Sequence, residues 1–224
     1  MTRPSDASAR RRTEAYFVAS YEVARRLAEG RADEAIAVLR RELDRIGPDA
    51  DETSRRFLLS QIALCQARSG DAAGAMRTLE QMEDELPRDH ETSLMLAEGW
   101  LLLAGHGERA SHHAADALRL AEEAGEDTPE VVSAIKTLIA RALLAEKDLV
   151  GAFAAWEASP LPSWRVGADL IDAGFSPDAV RRVLAEALPR IEEQERRAGA
   201  EGVCSSDRVR RMIAWIDQGC PSAG

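Results

Sequence analysis

Aromatic residues make up only 4% of the 224-residue chain. Runs alternating Val, Ile, Tyr or Phe with polar residues are absent, and with them the usual sign of a half-buried strand. No apolar run approaches the roughly 20 residues that a membrane-spanning helix needs. The stretch Met1 to Thr13 is polar, with no hydrophobic segment of signal-peptide type, so the chain reads as cytoplasmic and not membrane-bound. Cysteines number three. Few and odd, they fit a reducing compartment. Cys65 falls in an apolar helical run and reads as a small core residue. Cys204 and Cys220 flank a predicted helix of about 12 residues, roughly 18 Å long. A disulfide needs Cα atoms within about 7 Å, so a bridge would require the ends to fold back, and their redox state stays open.

Catalytic signatures are missing too. There is no Gly-rich phosphate loop, zinc-hydrolase pair or nucleophile elbow. The four histidines are His90, His106, His112 and His113. Glu108, His112 and Asp116 recur at steps of four and share one helix face, a line that could hold a metal. Nothing supplies a fourth ligand, and His113 points about 100° away from His112, so the line reads as a solvated face. No enzymatic activity, cofactor or metal is expected.

What is present is a helix-former's vocabulary. Apolar residues reach 45%, and Ala, Leu, Glu and Arg dominate. The fold class is all-α. The formal charge of −10 and pI near 5.0 disfavour generic nucleic-acid binding. Arg10, Arg11 and Arg12 form a local exception, in a basic tail (residues 1–12) expected to be disordered.

One turn recurs four times. It reads Gly30-Arg-Ala-Asp-Glu-Ala35, Gly70-Asp-Ala-Ala-Gly-Ala75, Gly105-His-Gly-Glu-Arg-Ala110 and Lys147-Asp-Leu-Val-Gly-Ala152. The Ala-to-Ala steps are 40, 35 and 42 residues. Such a period marks stacked supersecondary units, each unable to bury its apolar face alone. Periodicity predicts helix pairs over 13–29 and from Asp33 through Ile46, over 52–69 and 72–86, from Asp89 through Leu102 and over 108–124, and from Thr128 through Leu144 and over 149–158. Asp33, Asp89, Thr128 and Ser176 are the expected caps. Beyond 160 the pattern changes: helices are predicted over 164–173, 177–197 (with a kink at Pro189) and 207–218. This segment, 161–224, is expected to cap the stack.

The repeats resemble the tetratricopeptide-repeat (TPR) family over residues 14 to 158. The likeness rests on the turn Gly, the Ala five later, a large apolar residue four after that (Leu39, Leu79, Trp156), and a following proline (Pro48, Pro87, Pro160). Lys147 stands where the family usually has Gly, and Ala114 replaces the large residue. The resemblance implies a right-handed α-solenoid of TPR-like hairpins over 13–160. It also implies a scaffold or adaptor that binds a protein or peptide on the concave face made by the first helix of each pair. Carried over through the turn register, those positions are Tyr21, Arg25, Ser60, Trp100, Thr137 and Arg141. Arginine forks grip carboxylates, and Tyr and Trp supply wide contact area, so an acidic peptide would suit them. Tyr21 and Trp100 could equally fill space between helices. Self-association as a homo-oligomer is left open.

The competing signal is Gly174-Phe-Ser-Pro-Asp-Ala-Val-Arg-Arg182, which faintly resembles the second helix of a winged helix-turn-helix in mercury-resistance-type regulators. It would make the chain a transcriptional regulator or regulatory-system component, with Arg181 and Arg182 near phosphates. Glu186, Glu192, Glu193 and Glu195 follow and oppose that use.

Overall fold

The computed structural model describes residues 22–47, 51–198 and 206–220. The Arg10–Arg12 tail, Tyr21 and Cys204 lie outside the described residues. Among those described there are eleven helices and no strand. The helix α1 is described over 22–28, and α2 is Ala32–Ile46, α3 Glu52–Ser69 and α4 Ala72–Glu85. Then come α5 (His90–Leu101), α6 (Gly107–Ala124), α7 (Pro129–Ala145) and α8 (Leu149–Glu157). The C-terminal helices are α9 (Trp164–Asp172), α10 (Pro177–Ala198) and α11 (Ser206–Asp217). Among the described residues no helix is long and apolar enough to cross a membrane.

Local chemistry sets most of these starts. Free amides in a first helical turn need acceptors. Asp51 accepts from Ser54 N at 2.9 Å, Asp71 from Gly74 N at 2.8 Å, Asp89 from Thr92 N at 2.7 Å and Asp148 from Gly151 N at 2.9 Å. Thr128 caps Val131 N ahead of Pro129, which suits the first position because it has no amide to satisfy. One expected cap is corrected. Asp33 does not cap α2: the helix starts at Ala32, with Arg31 in the cap position and no side chain capping the first-turn amides. Asp33 lies instead in the first turn, where its charge favours the positive helix end. The α10 helix continues through Pro189.

The four repeated turns share one backbone state. Gly30, Gly70, Gly105 and Lys147 have φ of 72°, 86°, 79° and 63°. In three of them the amide of this residue bonds the carbonyl three back, and the next amide bonds the carbonyl five back. Lys147 does so with Leu144 O at 3.0 Å, and Asp148 with Leu143 O at 2.9 Å. These bonds satisfy the last carbonyls of the first helix and reverse the chain. The Ala five positions on is buried each time: Ala35 0%, Ala75 0%, Ala110 1% and Ala152 0% exposed. So is the residue four beyond it (Leu39, Leu79, Ala114 or Trp156).

The chain forms two compact units. The first ends at Arg88 and the second begins at Asp89. The division falls just after the extended Leu86, inside the segment that carries the repeated turns. In the first unit, α2 packs on α3 and α3 on α4. Val23, Ala35, Ile36, Leu39, Leu58, Ile62 and Cys65 make one of its cores. A buried Thr78 hydroxyl bonds Gln66 Oε1 at 2.7 Å and locks α4 to α3.

In the second unit, α5 packs on α6, α6 on α7, α7 on α8, and α5 also meets α7 directly. Alanine makes these approaches close. Ala97, Ala114, Ala117 and Ala121 are fully buried beside Ile135. A larger core joins α7 and α8 to α9, α10 and α11, from Ala140 and Trp156 through Leu170 and Leu184 to Ile216. The fourth hairpin's apolar face is covered by the C-terminal helices. Phe153 and Phe175 stack at 4.3 Å across that join.

Candidate functional site

In the second unit α5 and α7, the first helices of two hairpins, lie side by side. Thr137 and Arg141 are one helical turn apart on α7, with Thr137 half-buried and Arg141 exposed. Glu98 of α5 lies within electrostatic reach of Arg141. Although Glu98 keeps contact with solvent, desolvation raises its carboxyl above the ordinary range, and the Arg141 charge opposes that rise. On its other side Arg141 lines a cleft of about 260 Å³ with Leu144, Ala145, Asp169 and Ala173. Arg141 makes no direct salt bridge among the described residues. A guanidinium in that condition keeps its planar fork for an incoming carboxylate.

Trp100 has no such freedom. It is 0% exposed, with the Arg109 guanidinium carbon 3.7 Å from the ring centre and the His106 ring at 5.2 Å. The residue packs the third hairpin, and the wide contact area expected of it is spent inside the fold. Helical spacing does not distinguish a large ring facing a neighbouring helix from one facing a ligand.

The first unit holds its own sequence-predicted positions. Arg25 is exposed and pairs loosely with Glu29 at 3.7 Å. Ser60 turns its hydroxyl back onto Phe57 O at 2.8 Å. Beside them is an apolar recess of about 260 Å³ formed by Val23, Ala24, Leu27, Leu39, Phe57, Gln61 and Arg68. The sequence reading did not single out Phe57, Gln61 or Arg68, although Phe57, Gln61 and Arg68 recur at helical spacing on α3.

The histidine line does not assemble. His112 is exposed and stacks edge-on with His113 at 5.8 Å, while Asp116 pairs with Arg119. Among the described residues no group of three or more His, Cys, Asp or Glu is placed to hold a metal. Arg181 and Arg182, the residues of the regulator-like segment, are both engaged. Arg181 pairs with Asp217, and Arg182 with Glu157 at 2.8 Å. Cys65 is fully buried and its thiol is pushed up by desolvation. Glu98, Asp169 and an arginine cluster around Trp164 were invisible in the sequence because their partners lie on other helices. Comparison with protein families, curated proteins and solved structures finds no match.

Proposed function

We propose that the chain is a protein-interaction scaffold, a right-handed stack of TPR-like hairpins capped by its C-terminal helices, that holds an acidic peptide on the first helices of its hairpins. The supporting observation is the equivalence of the four turns: one left-handed residue, one buried Ala five later and one buried residue four beyond it. Equivalent units present equivalent faces, and a helical stack does its work by surface. In the second unit that face carries Arg141, with its fork unclaimed, beside Thr137 as a hydroxyl donor. Glu98 alongside sets a limit on what fits: its own charge repels a carboxylate placed too close, so acceptance of an acidic side chain is directional.

The test is selection of peptides from a random display library on the full chain. Enrichment of sequences with Asp or Glu, and about tenfold weaker binding of the winners to Arg141→Glu, is the expected outcome. Winners without acidic residues, or binding unchanged in Arg141→Glu, would overturn this reading.

A further inference from the structure

A second surface, outside the repeat segment, has a different chemistry. A cleft of about 440 Å³ between α9 and α11 is lined by Trp164, Arg165, Arg208, Arg211 and Met212. The guanidinium carbons of Arg165 and Arg208 lie 5.5 and 5.7 Å from the centre of the Trp164 ring. That is cation–π range, so both guanidinium groups lie against the same ring. Arg165, Arg208 and Arg211 are exposed, and none has a carboxylate partner among the described residues.

Nearby arginines behave differently. Arg181, Arg182 and Arg210 are all ion-paired, and Arg210 also claims Asp207, the acid next to Arg208 in sequence. In a chain of net charge −10, three cations are therefore gathered and left without acids. Like charges brought together repel, and a bound anion would relieve the arrangement.

We propose that this cleft binds a phosphate monoester in its dianionic form. Each guanidinium presents a planar donor fork, and a terminal phosphoryl group offers three acceptor oxygens, enough for three forks at once. A carboxylate has two oxygens and a single charge, so it satisfies one fork and leaves the other two cations uncompensated. A phosphodiester backbone also carries one charge per group, so each group leaves two of the three cations uncompensated. The Trp164 ring and Met212 form an apolar wall that lowers the local dielectric and strengthens the contact. This site is independent of the peptide face on α5 and α7.

The test is calorimetric titration of the full chain near pH 7.5 with inorganic phosphate, O-phospho-L-serine and a phosphoserine peptide. Succinate, dimethyl phosphate and a random DNA duplex are the competing probes. Saturable binding of the monoesters is expected, at least tenfold weaker in Arg208→Gln and in Arg211→Gln and unchanged in Arg40→Gln/Arg41→Gln. All four positions are exposed, so the variants retain the fold, which circular dichroism checks. Binding should weaken at pH 5, where a monoester with a second pKa near 6 loses one charge while arginine does not. A phosphopeptide that outcompetes phosphoserine assigns the group to a protein partner. Equal binding assigns it to a small phosphorylated molecule. No saturation below about 10 mM phosphate overturns the proposal, as does equal binding of succinate, dimethyl phosphate or DNA, or indifference to both arginine substitutions.

Discussion

Ser133 and Leu161 are joined by a buried hydrogen bond: the Leu161 amide donates to Ser133 Oγ at 2.9 Å. The same hydroxyl donates to Pro129 O at 2.6 Å. Two residues on, Ser163 O accepts from the Trp156 indole at 2.8 Å. The loop between α8 and α9 is thus tied to the start of α7 and to the end of α8. Ser133→Ala leaves the Leu161 amide buried without an acceptor, so it should lower stability by about 1–3 kcal/mol. Chemical denaturation of the wild type and variant measures this, and an unchanged midpoint would show that the tie is dispensable.

Lys147 holds a left-handed backbone, which costs an L-residue with a Cβ roughly 1–2 kcal/mol. Lys147→Gly should therefore stabilise the protein, by about 1 kcal/mol after the extra freedom of glycine in the unfolded chain is subtracted. Gly105→Ala, the opposite change in the third turn, should destabilise by a similar amount. Thermal melts of both variants check the pair. A destabilised Lys147→Gly would mean that the lysine side chain contributes something the turn geometry does not show.

Glu98 gives the protein a pH signature. Its folded pKa is raised, so the native state holds this proton more tightly than the unfolded chain does. Stability from this group is therefore greatest at low pH and falls as pH climbs from the ordinary Glu range through the raised folded value. Glu98→Gln should flatten the stability profile across that window and be the more stable form at neutral pH. Removing the opposing cation in Arg141→Gln should move the Glu98 titration further up. Carboxyl NMR titration of the wild type and Arg141→Gln reads both effects, and a Glu98 pKa in the ordinary range contradicts them.

Cys65 reports on the first unit alone. It is fully buried and its thiol is raised by desolvation, so a disulfide reagent should reach it only through opening of that unit. In Cys204→Ser/Cys220→Ser, Cys65 should label at a rate set by opening, far slower than an exposed thiol. Rapid labelling without denaturant would show that the core around Leu58 and Ile62 is not closed.

The sequence was most legible where the chemistry is local. Gly30, Gly70 and Gly105 announce turns, and Asp89 and Thr128 announce helix starts, because these signals act within a few residues. Lys147 was placed in register by its neighbours Asp148 and Ala152, even though its side chain argues against a left-handed turn. Asp33 failed as a cap because a favourable residue type does not decide which amide it reaches. Trp100 was ambiguous because periodicity places a ring on a face without saying what covers that face. Glu98 with Arg141, and Trp164 with Arg208 and Arg211, were out of reach because each set joins residues more than 40 positions apart on different helices. The Arg208/Arg211 spacing, one helical turn on α11, was the one local hint of the cleft.

The most direct measurement is chemical-shift mapping of the full chain with a selected acidic peptide. The scaffold reading predicts that the largest perturbations in the second unit fall on α5 and α7, at Glu98, Thr137 and Arg141, with the Arg165, Arg208 and Arg211 signals unmoved. Perturbations confined to α6 and α8, the second helices of the same hairpins, or an absence of any saturable shift, would contradict it.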